Sequence, residues 1–351
     1  MPTTAFDSIT LAIEHTKQQL FRPFRIGQWT RLAFVGLLAG ELGAYGCNRS
    51  NFNIPRHART VPHMAWPGPL GIDHALLALL IAALVVAAFS IGIILMYVGS
   101  VMRFVLFDSI IAKECHIRWS WSRRLGPGWR YFVWKLLFIF IMLAMFLGLV
   151  GVPLAFAFTA GWLKQPKEHL PVLVLAGIFV FFLLFALFLA AAVVLVLTKD
   201  FVIPQMALED IDALEGWRRL LLMMKADKGS YAAYIGMKIL LAIVVGLLIG
   251  VATIILGVMI AVPSVAFGLL AVLTGKAAGL TWTPGTIALA VTIGVTLLAF
   301  FLYLVSLVAV PAIVFFPAYS IYFFASRYPR LGAVLAARPQ APQVPPAPAP
   351  V

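Results

Sequence analysis

Long apolar runs that contain no charged residue limit what this chain can fold into. Residues 171–198 and 239–275 hold no Asp, Glu, Lys or Arg, and either run is long enough as a helix to cross the roughly 30 Å hydrocarbon core of a bilayer. Of the 351 residues, 63% are hydrophobic and only 11% are charged, whereas a soluble domain is charged at about a quarter of its positions. The sequence therefore predicts an all-α, polytopic membrane protein.

The hydropathy pattern predicts about six transmembrane helices within a single membrane domain, residues 1–332. Residues 264–284 are apolar but short and glycine-rich, which favours an interfacial or re-entrant piece over a full crossing. Residues 333–351 are rich in proline and alanine and have little to bury, so they are predicted to form a disordered cytoplasmic tail. The six predicted spans are residues 30–46, 75–101, 131–160, 171–198, 231–262 and 286–310.

A period of 101 residues relates three stretches of the chain. Residues 6–9 (FDSI) coincide with residues 107–110 (FDSI) and residues 208–211 (LEDI). A recurring period of this kind indicates repeated structural units. Each unit would consist of an interfacial helix, a basic turn and a pair of spans. The three possible modules are residues 3–102, 103–199 and 200–326.

Amphipathic helices are predicted on the same side of the membrane as both termini. Residues 3–22 and 204–228 carry apolar side chains on one helical face and charged side chains on the other. In the second segment, acidic residues occupy the first half and basic residues the second, which suits the helix dipole. Pro204 at its start and Gly229 past its end follow the usual asymmetry of helix termini.

The distribution of positive charge predicts the orientation. Of the 26 Lys and Arg residues, six fall in segments on one side of the predicted topology and all the others lie on the opposite side or just inside the membrane there. Because positive charge stays cytoplasmic, both termini are expected to be cytoplasmic. Cys47 and Cys115 would then lie on opposite sides, where they could not form a disulfide. The six residues on the outer side are Arg49, Arg56, Arg59, Lys164, Lys167 and Lys276.

The formal net charge of +13 does not require a nucleic-acid partner. Topology explains the basic residues, as does attraction to anionic headgroups, which is worth roughly 1 kcal/mol per Lys or Arg near the surface. We therefore expect membrane lipids as partners, with anionic headgroups on the cytoplasmic face, and no nucleic acid. A protein partner or a second copy of the chain remains an alternative. The candidate lipid-headgroup or partner contacts are Arg118, Arg123, Arg124, Trp121, Trp217, Arg218 and Arg219.

Three ionisable residues are candidate polar groups inside the membrane: Glu41, Lys135 and Lys238. A charge near the centre of the bilayer costs roughly 2.5–3.5 kcal/mol on insertion scales, so such a residue is a functional hypothesis by default. If the short first span ends early, Glu41 would instead sit at the outer interface. The two lysines could extend their charged heads to the cytoplasmic interface or contact a substrate phosphate.

No catalytic motif, cofactor site or metal site is evident. The sequence lacks a recognisable Ser/His/Asp arrangement, a phosphate-binding glycine loop and a CxxC pair. His57, His63 and His74 border the first outer loop, but their spacing matches no strong metal-binding pattern. We therefore expect a non-enzymatic protein that has no cofactor and no metal.

Two segments carry a family resemblance. Residues 200–231 combine a Val-Ile-Pro entry, an acidic stretch, a Trp-Arg-Arg centre and a closing glycine, and residues 21–35 are of similar character. The chain resembles bacterial polytopic membrane proteins similar to the membrane domain attached to some glycerophosphodiester phosphodiesterases. The resemblance implies a bacterial inner-membrane location and a helical bundle with interfacial helices. The soluble phosphodiesterase domain has no counterpart here, so its catalytic residues cannot be mapped.

Two function classes follow, and a membrane enzyme is a third alternative. The protein is either a scaffold, partner-binding or lipid-organising component of the membrane, or a transporter or exporter of a small or amphiphilic molecule. Glycine and proline interruptions within repeated spans are typical of transport sites, but polar residues inside the spans are scarce. Convergence of polar side chains on a cavity inside the bilayer would favour transport.

Overall fold

The computed structural model describes residues 4–22, 24–41, 74–162, 169–277, 279 and 283–337. All regular secondary structure in these residues is helical, as predicted. A π-helical turn, Thr198–Val202, joins the sixth and seventh helices. The helices are α1 Asp7–Phe21, α2 Ile26–Leu38, α3 His74–Ala112, α4 Ile117–Arg123, α5 Leu125–Thr159, α6 Leu170–Leu197, α7 Ile203–Glu209, α8 Ala213–Ala226, α9 Lys228–Ala277, α10 Pro284–Ala325 and α11 Pro329–Ala336.

Five helical stretches in the described residues are long and apolar enough to cross a membrane. Only helices and closed barrels satisfy every backbone hydrogen bond inside hydrocarbon, so runs of this kind fold as helices. The prediction of an all-α polytopic membrane protein is confirmed. The five stretches are Ala78–Ala112, Leu125–Thr159, Leu170–Glu209, Lys228–Gly275 and Gly285–Ala325.

The first predicted span, residues 30–46, is not a continuous helix in its described part. The helix α2 ends at Leu38, and Gly40 adopts the left-handed conformation with φ +78°. The Glu41 N–H donates to the Gly36 carbonyl at 2.9 Å, and the Gly40 N–H donates to the Leu37 carbonyl at 3.1 Å. These two hydrogen bonds form a Schellman motif, which terminates helices at a left-handed glycine. Residues 42–46 lie outside the described residues.

Two predicted spans, residues 231–262 and 286–310, continue as helices past the prolines that follow them. Helix α9 continues through Pro263 to Ala277, so the described residues 264–277 extend this helix and are not a separate re-entrant piece. Helix α10 likewise continues through Pro311 and Pro317 to Ala325. A proline removes one backbone hydrogen bond, but leaving the helix inside a membrane would expose many more unpaired groups.

The predicted interfacial helix at residues 204–228 is divided into two helices, α7 and α8. The break lies at Asp210, which adopts the left-handed conformation with φ 55°, a conformation that Asp tolerates better than most residues. The Arg130 guanidinium donates a hydrogen bond to the Asp210 carbonyl and so holds the break. Gly229 lies inside α9 and does not close α8.

At the chain ends, α1 lies within the predicted amphipathic segment 3–22. Helix α11 runs to Ala336, beyond the predicted start of the tail at residue 333, because Leu331 is fully buried and anchors it. Residues 338–351 lie outside the described residues. The 101-residue repeat and its module boundaries stay a prediction.

The hydrophobic core is concentrated at one end of the bundle, which we call the core end and which comprises residues 7–41, 100–135, 197–238 and 306–336. Helix α1 packs along the last third of α10, where His15 Nδ1 lies 3.0 Å from the Tyr322 hydroxyl. The N-terminal helix α1 therefore packs against the C-terminal part of α10 at this end. Its largest fully buried side chains include Tyr231, Tyr234, Tyr319, Phe104, Phe201, Phe316, Phe323 and Phe324.

Beyond the core end, the long helices have few protein neighbours. The side chains of residues 78–95 in α3 and 287–300 in α10 are exposed on every face of the helix. A helix that is apolar all round belongs in a protein core or in a membrane. Because no protein covers these faces in the described residues, lipid hydrocarbon is their natural solvent.

Two glycines allow α2 to wedge between α3 and α10. A Cβ atom added at Gly36 would lie 2.6 Å from the Ile313 side chain, and one at Gly99 would lie 2.7 Å from the Leu38 carbonyl oxygen. Small residues at such positions let membrane helices approach closely. The close approach brings the end of α2 against the inner part of α3.

Candidate functional site: a buried charge cluster

Glu41 lies between two cations at the core end. Its carboxylate is 1% exposed, and its Oε1 atom accepts a hydrogen bond from Arg103 Nη1 at 3.2 Å. Its Oε2 atom is ion-paired with the Lys199 ammonium. The Schellman end of α2 fixes the backbone of Glu41, while α3 and the π turn supply the two cations.

The residue after Lys199, Asp200, forms a second ion pair. Asp200 in the π turn is 2% exposed, is ion-paired with Lys238 of α9, and accepts a hydrogen bond from the Tyr234 hydroxyl at 3.0 Å. We call Glu41, Arg103, Lys199, Asp200 and Lys238 the buried charge cluster. It connects α2, α3, the π turn and α9.

The π turn carries the consecutive residues Lys199 and Asp200, each of which belongs to a different ion pair. Pro204 has no N–H to donate to the carbonyl four residues earlier, which permits the change of hydrogen-bond pattern in the turn before it. The Trp217 indole Nε1 donates to the Thr198 hydroxyl at 3.0 Å and ties α8 to the turn. Single π turns inside α-helices are frequent at functional sites.

The buried charge cluster borders a small cavity of about 30 Å³. A water molecule needs roughly 10–15 Å³ of such space together with several polar partners. The cavity therefore has room for one or two waters and is too small for an organic substrate in this conformation. Its polar lining consists of Glu41, Arg103, Lys199, Asp200 and Ser320, and Pro204 and Pro317 contribute to its apolar wall.

The cluster holds two carboxylates and three cations at the level where the apolar runs end. Arg103 follows the uncharged residues 75–102, and Lys199 follows the uncharged residues 170–198. Taking such charges out of water costs several kcal/mol per ion, which close pairing with good geometry offsets. The ion pairs therefore fix the positions of the elements that carry them relative to one another.

The structure brings two of the three predicted intramembrane residues together. Glu41 and Lys238 belong to the same cluster, while Lys135 is half-buried and forms no hydrogen bond or ion pair with any described residue. Glu41 lies beside Arg103 and Lys199 at the core end. The membrane surface nearest to Glu41 stays a prediction.

Sequence reasoning missed the partners of these residues. Arg103 and Lys199 entered only as charges that set the topology, and Asp200 and Tyr234 were not singled out. One signal was available: Lys199 and Asp200 are adjacent opposite charges directly after a long uncharged run. Such a pair at the end of a span indicates two neighbouring partners on different helices.

Three of the predicted lipid contacts have partners inside the protein. Arg124 makes two hydrogen bonds to the Asp108 carboxylate, at 2.7 and 2.8 Å, and one to the Ala207 carbonyl at 2.6 Å. Trp217 is tied to the π turn, as described above. Arg219 binds the carboxylates of Glu209 and Glu215, and these hydrogen bonds raise its pKa.

The other predicted contacts are more accessible. Arg118 and Arg123 are exposed, Arg218 is 80% exposed, and Trp121 is half-buried. The Arg123 guanidinium lies 5.3 Å from the centre of the Trp119 ring, which is a cation–π arrangement. A headgroup-contact role for these residues stays a prediction.

Cys115 provides a test of the core end. The side chain is 4% exposed, and burial raises the pKa of its thiol. Because the thiolate is the reactive form, we expect iodoacetamide to label Cys115 slowly at pH 7, faster as the pH rises, and completely after denaturation. Mass spectrometry of a Cys47→Ser protein isolates this thiol. Fast labelling of the folded protein at pH 7 would contradict the burial of Cys115.

In the described part of the chain, no group of three His, Cys, Asp or Glu residues could hold a metal ion. His57 and His63 lie outside the described residues, as does the side chain of His74. The expectation that the protein has no metal therefore stays a prediction for that loop.

Comparison with known proteins places the chain in a family. No curated protein and no solved structure matches it, and no match supports the resemblance to the membrane domain of glycerophosphodiester phosphodiesterases. The family model that does match covers residues 3–334 and so includes all the helices described above except the last two residues of α11. On this match, the chain belongs to the family of unknown function DUF7544.

Proposed function

We propose that this membrane protein acts without catalysis and gathers anionic lipids at its core end. The observation that carries the proposal is the set of exposed arginines there, Arg118, Arg123 and Arg218, together with the exposed indole of Trp119. Arg118 and Arg123 make no ion pair with a described residue, and Arg218 Nη1 is 3.9 Å from the nearest Glu215 oxygen. Their guanidinium groups are therefore accessible to groups outside the protein.

The position of these arginines suits a lipid interface. The far halves of α3 and α10 require hydrocarbon around them, so the charged core end lies at one surface of the bilayer. The excess of positive charge favours the cytoplasmic surface, which in a bacterial inner membrane contains anionic lipids. Tryptophan is enriched at this depth because its ring is partly apolar and its N–H is polar.

The buried charge cluster supports a structural role ahead of a substrate site. Both carboxylates are ion-paired, and the adjoining cavity has room for only one or two waters. The cluster joins four elements, and the helices that carry the exposed arginines, α4 and α8, pack against two of them, α3 and the π turn.

Lipid retention tests the proposal. We expect Arg118→Gln, Arg123→Gln and Arg218→Gln together to lower the ratio of anionic to zwitterionic lipid that copurifies in mild detergent, because about 3 kcal/mol of attraction to headgroups is removed. Lipid mass spectrometry measures the ratio. The matched control replaces Arg49, Arg56 and Arg59 with Gln, which removes the same charge on the predicted outer side.

Two results would count against the proposal. An unchanged ratio in the core-end variant would remove lipid gathering from these arginines. An equal fall in the control variant would show that total charge, and not the core end, determines which lipids are retained.

Transport is the second candidate, and the polar cavity beside the π turn favours it. Transport would require the ion pairs at Glu41 and Asp200 to open so that the cavity widens. Reconstituted vesicles loaded with a pH-sensitive dye would report proton flux through such an opening. Flux no greater than that of empty vesicles would set proton transport aside.

A further inference from the structure

We propose that a groove between the start of α2 and the turn joining α3 to α4 binds the phosphate of one anionic phospholipid. This inference rests on the proposed function, because it names the ligand class and the residues for one defined site at the core end. It differs from general attraction to headgroups in predicting a discrete bound lipid.

The groove consists of two adjoining cavities of about 240 and 330 Å³ that share Arg31 and His116. Arg25 lines the first cavity and Arg118 lines the second. One carboxylate, Glu114, lies in the lining, and its Oε2 atom is 3.9 Å from His116 Nε2. Three arginines against one glutamate leave the groove positively charged.

The arginines have hydrogen-bonding capacity to spare. Arg31 Nη1 makes one long hydrogen bond, 3.5 Å, to the Cys115 carbonyl. Arg25 and Arg118 form no hydrogen bond or ion pair with the residues that the structure describes. A guanidinium presents several N–H donors in a planar arrangement that matches phosphate, and it stays charged at any physiological pH.

The walls of the groove are held in place by contacts away from its opening. Gln28 Nε2 donates to the Lys113 carbonyl at 2.8 Å and joins the start of α2 to the end of α3. Trp29 Nε1 donates to the Leu20 carbonyl at 3.1 Å. The buried Cys115 anchors the turn from below. The backbone segments that carry Arg25, Arg31 and Arg118 are thus positioned before any ligand binds.

Exposed apolar side chains beside the groove favour a lipid over a soluble anion. Phe24 is 58% exposed, Ile26 is 67% exposed and Trp119 is 61% exposed. Phe24 and Ile26 flank Arg25 in the chain, and Trp119 lines the second cavity. A phospholipid places acyl chains next to its phosphate, so one molecule can contact both kinds of side chain. A soluble phosphate compound would leave the apolar groups uncovered.

Native mass spectrometry of the full-length protein, titrated with phosphatidylglycerol, tests the site. We expect a single tightly bound lipid, and we expect Arg25→Gln with Arg31→Gln to weaken its binding at least about tenfold, since two charge-assisted contacts to phosphate are lost. Lys17→Gln with Arg22→Gln is the matched control. It removes two exposed charges from the same end of the bundle but outside the groove, and it should bind like the unmodified protein.

The outcomes separate this inference from the general proposal. If the Arg25 and Arg31 variant binds phosphatidylglycerol as tightly as the unmodified protein, the groove is not the site, even where bulk enrichment of anionic lipid persists. If the control variant loses as much binding, net charge alone is responsible and the inference fails. If soluble glycerol 1-phosphate displaces the lipid at an equal concentration, the ligand is a free phosphate compound and the lipid assignment is overturned.

Discussion

Replacing Glu41 with Gln should lower the free energy of unfolding by about 3–5 kcal/mol, the usual cost of removing one partner of a buried ion pair. The substitution keeps the size and shape of the side chain but removes its negative charge. Arg103 and Lys199 would then face each other without a carboxylate between them, at a level where little water can enter. Repulsion between the two cations and the loss of the buried carboxylate that neutralised them both oppose the folded state.

Thermal unfolding in detergent, followed by tryptophan fluorescence, measures this effect. Glu14→Gln is the matched control, because Glu14 is an exposed carboxylate on α1 that hydrogen-bonds only to Gln18 among the described residues. Adding Lys199→Met to Glu41→Gln should restore part of the lost stability, since one of the two cations that Glu41 neutralises is removed. A Glu41→Gln protein as stable as the control would show that the cluster does not hold the helices together.

Asp200→Asn should be comparably destabilising, because it leaves the Lys238 ammonium buried in α9 without its carboxylate. The Tyr234 hydroxyl can still donate to the amide oxygen of the new side chain. The decrease in the free energy of unfolding therefore measures mainly the contribution of the ion pair. We expect the paired substitution Asp200→Asn with Lys238→Met to be much less harmful than Asp200→Asn alone. Replacing a whole buried ion pair with uncharged groups of similar volume is often nearly neutral.

A double-mutant cycle on these two positions gives the coupling between them. Unfolding free energies of the unmodified protein, both single variants and the paired variant are measured in the same detergent. A coupling near zero would mean that Lys238 does not depend on Asp200 in the folded protein. The Glu41 and Asp200 effects together would then identify which of the two ion pairs maintains the core end.

Much of the fold could be predicted because hydrocarbon imposes a simple rule on sequence. Residues 171–198 are uncharged throughout, and the structure has a helix, Leu170–Leu197, in that place. Pro263 was misleading, because a proline ends helices in water far more readily than it does inside a membrane. The extent of α2 was also misread, since a span was predicted over residues 30–46 and the helix ends at Leu38.

The buried charge cluster was harder to predict because its members are distant in the chain. Glu41 meets Lys199 across 158 positions, and Asp200 meets Lys238 across 38. Hydropathy identifies each residue as an unusual charge near a span, but it carries no information on which helices are neighbours. The π turn is likewise a local departure from regular geometry that Pro204 permits but does not by itself require.

The concentration of the core at one end divides the chain into two regimes of tolerance to substitution. In the far halves of α3 and α10, lipid surrounds each side chain and adapts to its shape, so exchanges among Leu, Ile, Val and Phe should be nearly silent. At the core end, the same exchanges alter a close-packed interior, where adding or removing a single methylene changes the stability of the fold. The far halves therefore need only hydrophobicity, whereas the core end needs particular side chains.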